Sequence, residues 1–308
     1  MSYYTLPAHW VFALRFGQKL PTFKNESLLE EWLKNNTPAS CQEIQSSTPF
    51  LTISHPLYPS ALKGKGAPCV LFYQGDLTLL QKTCIAVVGT RYCSIRGVQY
   101  AKEIVHYLHT HKVISVSGLA YGIDNIVHRA AHGYTIGILP CGFDARSSTL
   151  QETCSHIIEQ GGLILSEYLP QDVARKWRYI RRNRIIAWIS SILILVEAPR
   201  SSGALHTVRY ARERVIPVLV VPSSPLEEQN QGGLKLIAMG FPMLYSIKQL
   251  ALLLNLPVPQ NEKSVMSRSD LARSLNLSHK ELDIELRRLQ INGTLIPISF
   301  GNFLWNPS

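Results

Sequence analysis

The densest run of chemistry-bearing side chains in this 308-residue sequence is KWRYIRRNR, where Lys176, Arg178, Arg181, Arg182 and Arg184 fall within nine residues, interleaved with Trp177 and Tyr179. Guanidinium groups bind phosphates in a bidentate manner and aromatic faces stack on unpaired bases, so the composition fits a single-stranded nucleic acid. A solvated cationic face would read the same way, but this run leads straight into the apolar IIAW and is therefore tied to the interior. Three glycine-bearing turns are candidates for holding anions. VVGTR sets Gly89, Thr90 and Arg91 ahead of Ser94, Gly97 and a helix, where backbone N–H groups and the helix terminus can face a phosphate. Its spacing is not the G-x-G-x-x-G of a dinucleotide turn, and a merely tight turn needs no arginine. SGLAYGID sets Ser117, Gly118, Gly122 and Asp124 at a second turn, with His128 four residues further on. Asp124 suits a capping and orienting role; with His128 one helical turn away it could also form an acid–base pair. PRSSGALHT offers Ser201, Ser202, Gly203 and Thr207 at a third helix start, as an anion seat or an ordinary N-cap.

These turns need a frame, and the apolar runs supply one. CIAVVGT, VISVSGL, YTIGILP, LILSEY, SILILVEA and VIPVLVVP are strand-length and rich in Val, Ile and Leu. Helical segments such as VQYAKEIVHYLHTH, IDNIVHRAAH and ALHTVRYARER alternate with them. The alternation predicts an α/β fold with a doubly wound, mostly parallel sheet whose ligands bind at the carboxyl ends of the strands. Residues 1–50 read as a short N-terminal helical region around SLLEEWLKNN, residues 51–255 as the main domain, and residues 262–308 as helix, turn, helix and a two-stranded ribbon. Capping signatures pair Ser267 with Asp270 and Ser278 with Glu281.

With 31 Lys and Arg against 21 Asp and Glu, the formal charge of +10 favours a polyanionic partner or a solvated cationic surface. Six cysteines (Cys41, Cys69, Cys84, Cys93, Cys141 and Cys154) form no C-x-x-C pair and have no His spacing suited to zinc, so no metal is expected. Their place in apolar runs suits reduced thiols and a cytoplasmic protein. The N-terminus lacks the features of a signal peptide. The longest apolar stretch, IIAWISSILILVEA, is shorter than the roughly 20 residues of a membrane helix.

Taken in order, VVGTR, SGLAYGIDNIVHRAA, LILSEY, RRNRIIA, LVEAPRSSGALHT and VVP resemble the DNA-processing protein A (DprA/Smf) family, as does the lead-in HPLYPSALKGKGAPCVLFYQGD. The resemblance covers about residues 50–240. It implies an extended Rossmann-type domain that binds single-stranded DNA, forms homodimers and helps load the RecA recombinase in natural transformation or recombination, with no cofactor and no turnover. The implied DNA pocket uses Arg91 and the RRNR segment including Asn183, with Gly118, Gly122 and Gly203 shaping its floor. The final segment resembles the winged-helix tail of some members, its second helix running from about His279 to Gln290.

The sequence departs from the family pattern in places. SSTLQ follows GFDAR at once, so a basic loop is shortened; Ser223 stands where glycine is usual, and Leu234 where asparagine is expected. A competing expectation is a nucleotide-binding or nucleotide-processing enzyme related to the phosphoribohydrolases. Those resemble G-G-x-G-T-x-x-E, whereas here Tyr210 occupies the glutamate position, leaving Glu167 and Glu197 at strand ends as possible substitutes. A third expectation is a scaffold whose tail contacts proteins and whose pocket is vestigial.

Overall fold

In the structure, a computed structural model, residues 4–16 and 26–259 are described, together with 264–267, 272–273, 278, 281–282, 284–286, 288, 295–299 and 302–305. The chain divides into two compact units, Met1–Tyr245 and Ser246–Ser308.

The first unit is built on an eight-stranded mixed sheet. In chain order its strands are β3 (Phe50–Thr52), β4 (Val70–Gly75), β5 (Cys84–Val88), β6 (Ile114–Ser117), β7 (Thr135–Ile138), β8 (Leu163–Ser166), β9 (Ile192–Leu195) and β10 (Val218–Val220). Their spatial order is β10-β9-β5-β6-β7-β8-β4-β3. The six strands expected from the apolar runs pair in parallel, while β3 and β4 add an antiparallel edge, with Phe72 opposite Ser166. All residues of β5 to β8 are buried, as continuous apolar strands require when both faces are covered. This is the extended Rossmann-type sheet. After β5 the chain proceeds outward through β6, β7 and β8, then returns to the other side of β5 as β9. The order therefore reverses between β5 and β9, and loops leaving the carboxyl ends there border a crevice.

Helices α3 (Ile95–Thr110), α4 (Ile123–Ala130), α5 (Ser148–Glu159), α6 (Lys176–Trp188), α7 (Ala204–Glu213) and α8 (Gln231–Ala238) fill the connections. SSTLQ, which follows the shortened loop, opens α5: Ser147 caps it by accepting from the Leu150 N–H, and Leu150, Cys154 and Ile157 supply a buried stripe. The apolar run IIAWISSILILVEA is two elements, since IIAW ends α6 and Ser190–Ser191 turn the chain into β9.

The N-terminal region contributes α1 (Ala8–Phe16) and α2 (Glu26–Asn36), and in addition a short antiparallel pair, β1 (Tyr4–Leu6) with β2 (Ile44–Ser46). Leu6, Trp10, Val11, Leu29 and Leu33 are buried in the same apolar cluster as the sheet. These helices are thus packed on the main core.

In the second unit, α9 (Ile247–Leu254) is capped by Ser246, which accepts from the Gln249 N–H at 3.1 Å, and ends at Asn255 in the left-handed region. Strands β12 (Leu295–Ser299) and β13 (Asn302–Trp305) form the expected ribbon, and β11 (Ser264–Ser267) joins β13 as a third antiparallel strand. The Ser278–Glu281 capping box is present, with the Ser278 N–H and hydroxyl both donating to Glu281 and holding its carboxyl below the usual range. Asp270 and half of the expected recognition helix lie outside the described residues.

Candidate nucleic-acid interface

The loops at the carboxyl ends of β5, β6 and β9 are laced together by main-chain bonds. The Thr90 N–H donates to the Glu197 carbonyl at 2.8 Å, and the Ile123 N–H donates to the Thr90 carbonyl at 3.2 Å. Gly122, at φ +79°, lies so close that a Cβ would overlap the carbonyls of Thr90 and Arg91. Gly89 is equally hemmed in, since a Cβ would stand 2.6 Å from the Ile123 side chain. Here glycine is a packing requirement.

The first expected anion seat, at the start of α3, is filled from within. The buried Glu197 carboxylate accepts from the Ser94 N–H at 2.9 Å and from the Ser94 hydroxyl, which in turn accepts from the Gly97 N–H at 2.9 Å. A Cβ on Gly97 would overlap that carboxylate. A protein carboxylate therefore sits against the start of α3, which is capped from within.

The second turn is an internal polar network. The Ser117 hydroxyl donates to the Val87 carbonyl at 2.7 Å. Gly118 lies between Asp124 and Arg182: a Cβ there would stand 2.7 Å from the guanidinium and overlap the carboxylate. Asp124 accepts from the Ala120 N–H at 3.4 Å, and burial pushes its carboxyl up against the opposing field of Arg182. His128 faces elsewhere, with Nε2 near the Gly118 carbonyl and Nδ1 2.8 Å from the Thr135 hydroxyl. Burial lowers its pKa to about 4. The Thr135 hydroxyl in turn donates to the Ser115 carbonyl at 3.0 Å, so the ring is held in a buried polar chain. Asp124 and His128 thus have separate partners and orient the loop instead of forming an acid–base pair.

Folding KWRYIRRNRIIAW into α6 distributes its cations around the helix, because successive residues turn by about 100°. Lys176 is exposed at its start. Arg178 pairs with Asp172 at 2.8 Å and lies over the rings of Tyr168 and Trp177. Arg181 stands 3.6 Å from Glu167. Arg182 and Arg184 are only 3% and 4% exposed. Arg182 donates to the Ile138 carbonyl and to Asn183 Oδ1, while Arg184 donates to Glu167. These two arginines face inward, because β7 and β8 end in acceptors that α6 lies across.

The third turn is open. Ser202 accepts from the Ala204 N–H at 3.2 Å, Asn183 holds the Gly203 carbonyl at 3.2 Å, and nothing lies within 4 Å of the side-chain position of Gly203. Thr207 is buried one turn further along α7. Arg91 is exposed, with its guanidinium 5.6 Å from the Tyr179 ring centre on α6, and it forms no ion pair among the described residues. Arg175 and Arg200 are likewise exposed without an ion pair among those residues. Sequence reasoning passed over both, although each adjoins a motif it had singled out, Lys176 in one case and Ser201 in the other.

Ser223 and Leu234, the noted departures, flank a point of close packing. Asn230 is fully buried; its Oδ1 accepts from the Ala198 N–H and its Nδ2 donates to the Val221 carbonyl, both at 3.0 Å, joining the ends of β9 and β10. Ser223 borders a cavity of about 200 Å³ beside Arg96, Tyr100 and Glu197.

An extended Rossmann-type sheet with an antiparallel edge and glycine-crowded loops at its switch point defines an α/β class without the phosphate turn of the dinucleotide enzymes. A sequence profile of the DNA recombination-mediator protein A family matches residues 49–255, and the chain belongs to that family. DNA processing protein DprA of Streptococcus pneumoniae is 37% identical over 183 residues, covering 58% of this chain and 64% of that protein. The Bacillus subtilis DprA is 35% identical over 210 residues, covering 65% and 69%. The solved structure of the S. pneumoniae protein aligns with TM-score 0.63 at 28% identity, over 80% of this chain and 93% of that one. A Helicobacter pylori DNA processing protein A structure, described for its single-stranded DNA binding mode, aligns with TM-score 0.62 at 28% identity, over 68% and 99%.

Proposed function

We propose that this chain binds single-stranded DNA along the carboxyl edge of its parallel sheet and acts as a non-catalytic recombination mediator. The observation that carries the reading is Arg91. It is an exposed guanidinium that forms no ion pair among the described residues, and the same edge carries the open start of α7 and the exposed cations Arg175, Lys176 and Arg200. Together these groups suit a phosphate backbone, and the net charge of +10 favours its approach. Gly118, Gly122, Asp124, Asn183 and the buried Arg182 and Arg184 act beneath that surface, fixing the loops. Arg178 and Arg181 stand at the margin, each partly neutralised by a carboxylate.

Against a catalytic reading, Glu197 accepts from Ser94 at the start of α3, and one oxygen of the Glu167 carboxylate faces Arg181 and Arg184. Family membership supports a cytoplasmic homodimer that hands single strands to the RecA recombinase, with the tail from about residue 262 as the segment for partner contact. Among the described residues no helix is long and apolar enough to cross a membrane.

The test is fluorescence anisotropy of a labelled single strand across a salt series, with unlabelled duplex as competitor. Tight binding that weakens steeply with salt and resists the duplex is expected. Binding displaced equally by duplex would overturn the single-strand reading.

A further inference from the structure

We propose that Tyr92 and Tyr121 form a base-stacking rim around Arg91, so that the site reads the bases of an unpaired strand as well as its phosphates. This rests on the single-strand reading of the site. Tyr92 is 86% exposed and Tyr121 67% exposed, and both stand just beyond the carboxyl ends of neighbouring parallel strands, β5 and β6. Isolated surface aromatics need no explanation. These two border the same free arginine, Tyr92 as its chain neighbour and Tyr121 across the contact that Gly122 makes with the Arg91 carbonyl.

Their backbones are held. The Tyr92 N–H donates to the Thr90 hydroxyl at 3.2 Å, the Ile123 N–H donates to the Thr90 carbonyl at 3.2 Å, and the Tyr121 hydroxyl stands 3.5 Å from the Thr149 hydroxyl at the start of α5. Rings on fixed backbone lose little freedom when a base stacks on them. An exposed guanidinium on a loop that carries one exposed tyrosine and touches the backbone beside another suits a nucleotide, whose charged phosphate and flat base are a few ångströms apart. Duplex DNA keeps its base faces covered, so this arrangement selects unpaired strands. Trp177, 49% exposed on α6, already packs edge-on against Tyr168 and under Arg178, which leaves the two tyrosines as the freer faces.

The test compares an oligothymidylate with a strand of equal length whose central nucleotides are abasic, using the full chain and anisotropy. Wild-type protein is expected to bind the abasic strand more weakly by about 5- to 150-fold for each stacked base. Joint Tyr92→Ala and Tyr121→Ala substitution should remove that difference by weakening only the oligothymidylate, and joint Tyr→Phe substitution should preserve it. Equal wild-type affinity for both strands, or an alanine pair that retains the preference, overturns the stacking proposal and leaves the phosphate site standing. Failure of the wild type to bind either strand overturns the site reading and the rim together.

Discussion

The Arg184 guanidinium donates to the Glu167 carboxylate, and both side chains are buried where α6 crosses the end of β8. An arginine that closes the most basic run of the sequence is therefore part of the interior. Its neighbour Arg182 is placed in the same way, against the Ile138 carbonyl and near Asp124.

Arg184→Ala should accordingly act on the fold. Removing one member of a buried pair costs about 3–5 kcal/mol when the other charge is left alone, and here Arg181 at 3.6 Å offsets part of that loss. Denaturant unfolding should show that loss, while the protein that remains folded keeps its affinity for single-stranded DNA. A stable variant with selectively weakened DNA binding would refute the assignment.

Glu197→Ala should expose the start of α3. The Ser94 N–H loses its acceptor, at a cost of about 1–3 kcal/mol for a buried unsatisfied donor. Inorganic phosphate should then raise the melting temperature of the variant and leave that of the wild type unchanged. Equal responses of the two proteins would mean that the carboxylate does not occupy an anion seat.

His128 sets an acid limit on stability. Its folded pKa of about 4 lies below the ordinary 6.5 of a histidine, so the folded state resists a proton that the unfolded chain accepts. The contribution is complete above pH 6.5 and is lost as pH falls toward 4, amounting to about 3 kcal/mol over that window. Urea unfolding across this range should show the decline, and His128→Gln should flatten it whatever its effect at neutral pH. An unchanged slope in the variant would remove His128 as the cause.

Val215 ends α7 with a left-handed backbone, φ +56°, while its side chain is 89% exposed. A β-branched residue pays about 1–2 kcal/mol for that conformation and here regains almost nothing by burial. Val215→Gly should raise the unfolding midpoint by a net stabilisation of about 0.5–1 kcal/mol, since glycine's added chain entropy offsets part of the relief. A lower midpoint would show that the side chain has an unrecognised contact.

Much of the fold is legible in the sequence because the parallel strands are covered on both faces. That makes each of the six runs apolar throughout and easy to separate from the amphipathic helices between them. The three-residue strands β1 and β2 are too short to show any period. The basic run hides α6 because composition counts charges without assigning them to faces; only the partners on β7 and β8 decide which arginines turn inward. The crowding at Gly122 is signalled by its residue type, whereas the Glu197–Ser94 contact joins residues 103 positions apart, and no local pattern announces it.

The central claim is that Arg91 on the β5 loop contacts the DNA backbone. Its most direct test is anisotropy of a labelled single-stranded oligonucleotide with wild type and Arg91→Ala over a salt series, alongside unfolding curves for both. The variant is expected to unfold at the same denaturant concentration, to bind about tenfold more weakly, and to show a salt slope shallower by about 0.7 for one lost phosphate contact. Unchanged affinity and slope in a folded Arg91→Ala protein would contradict it.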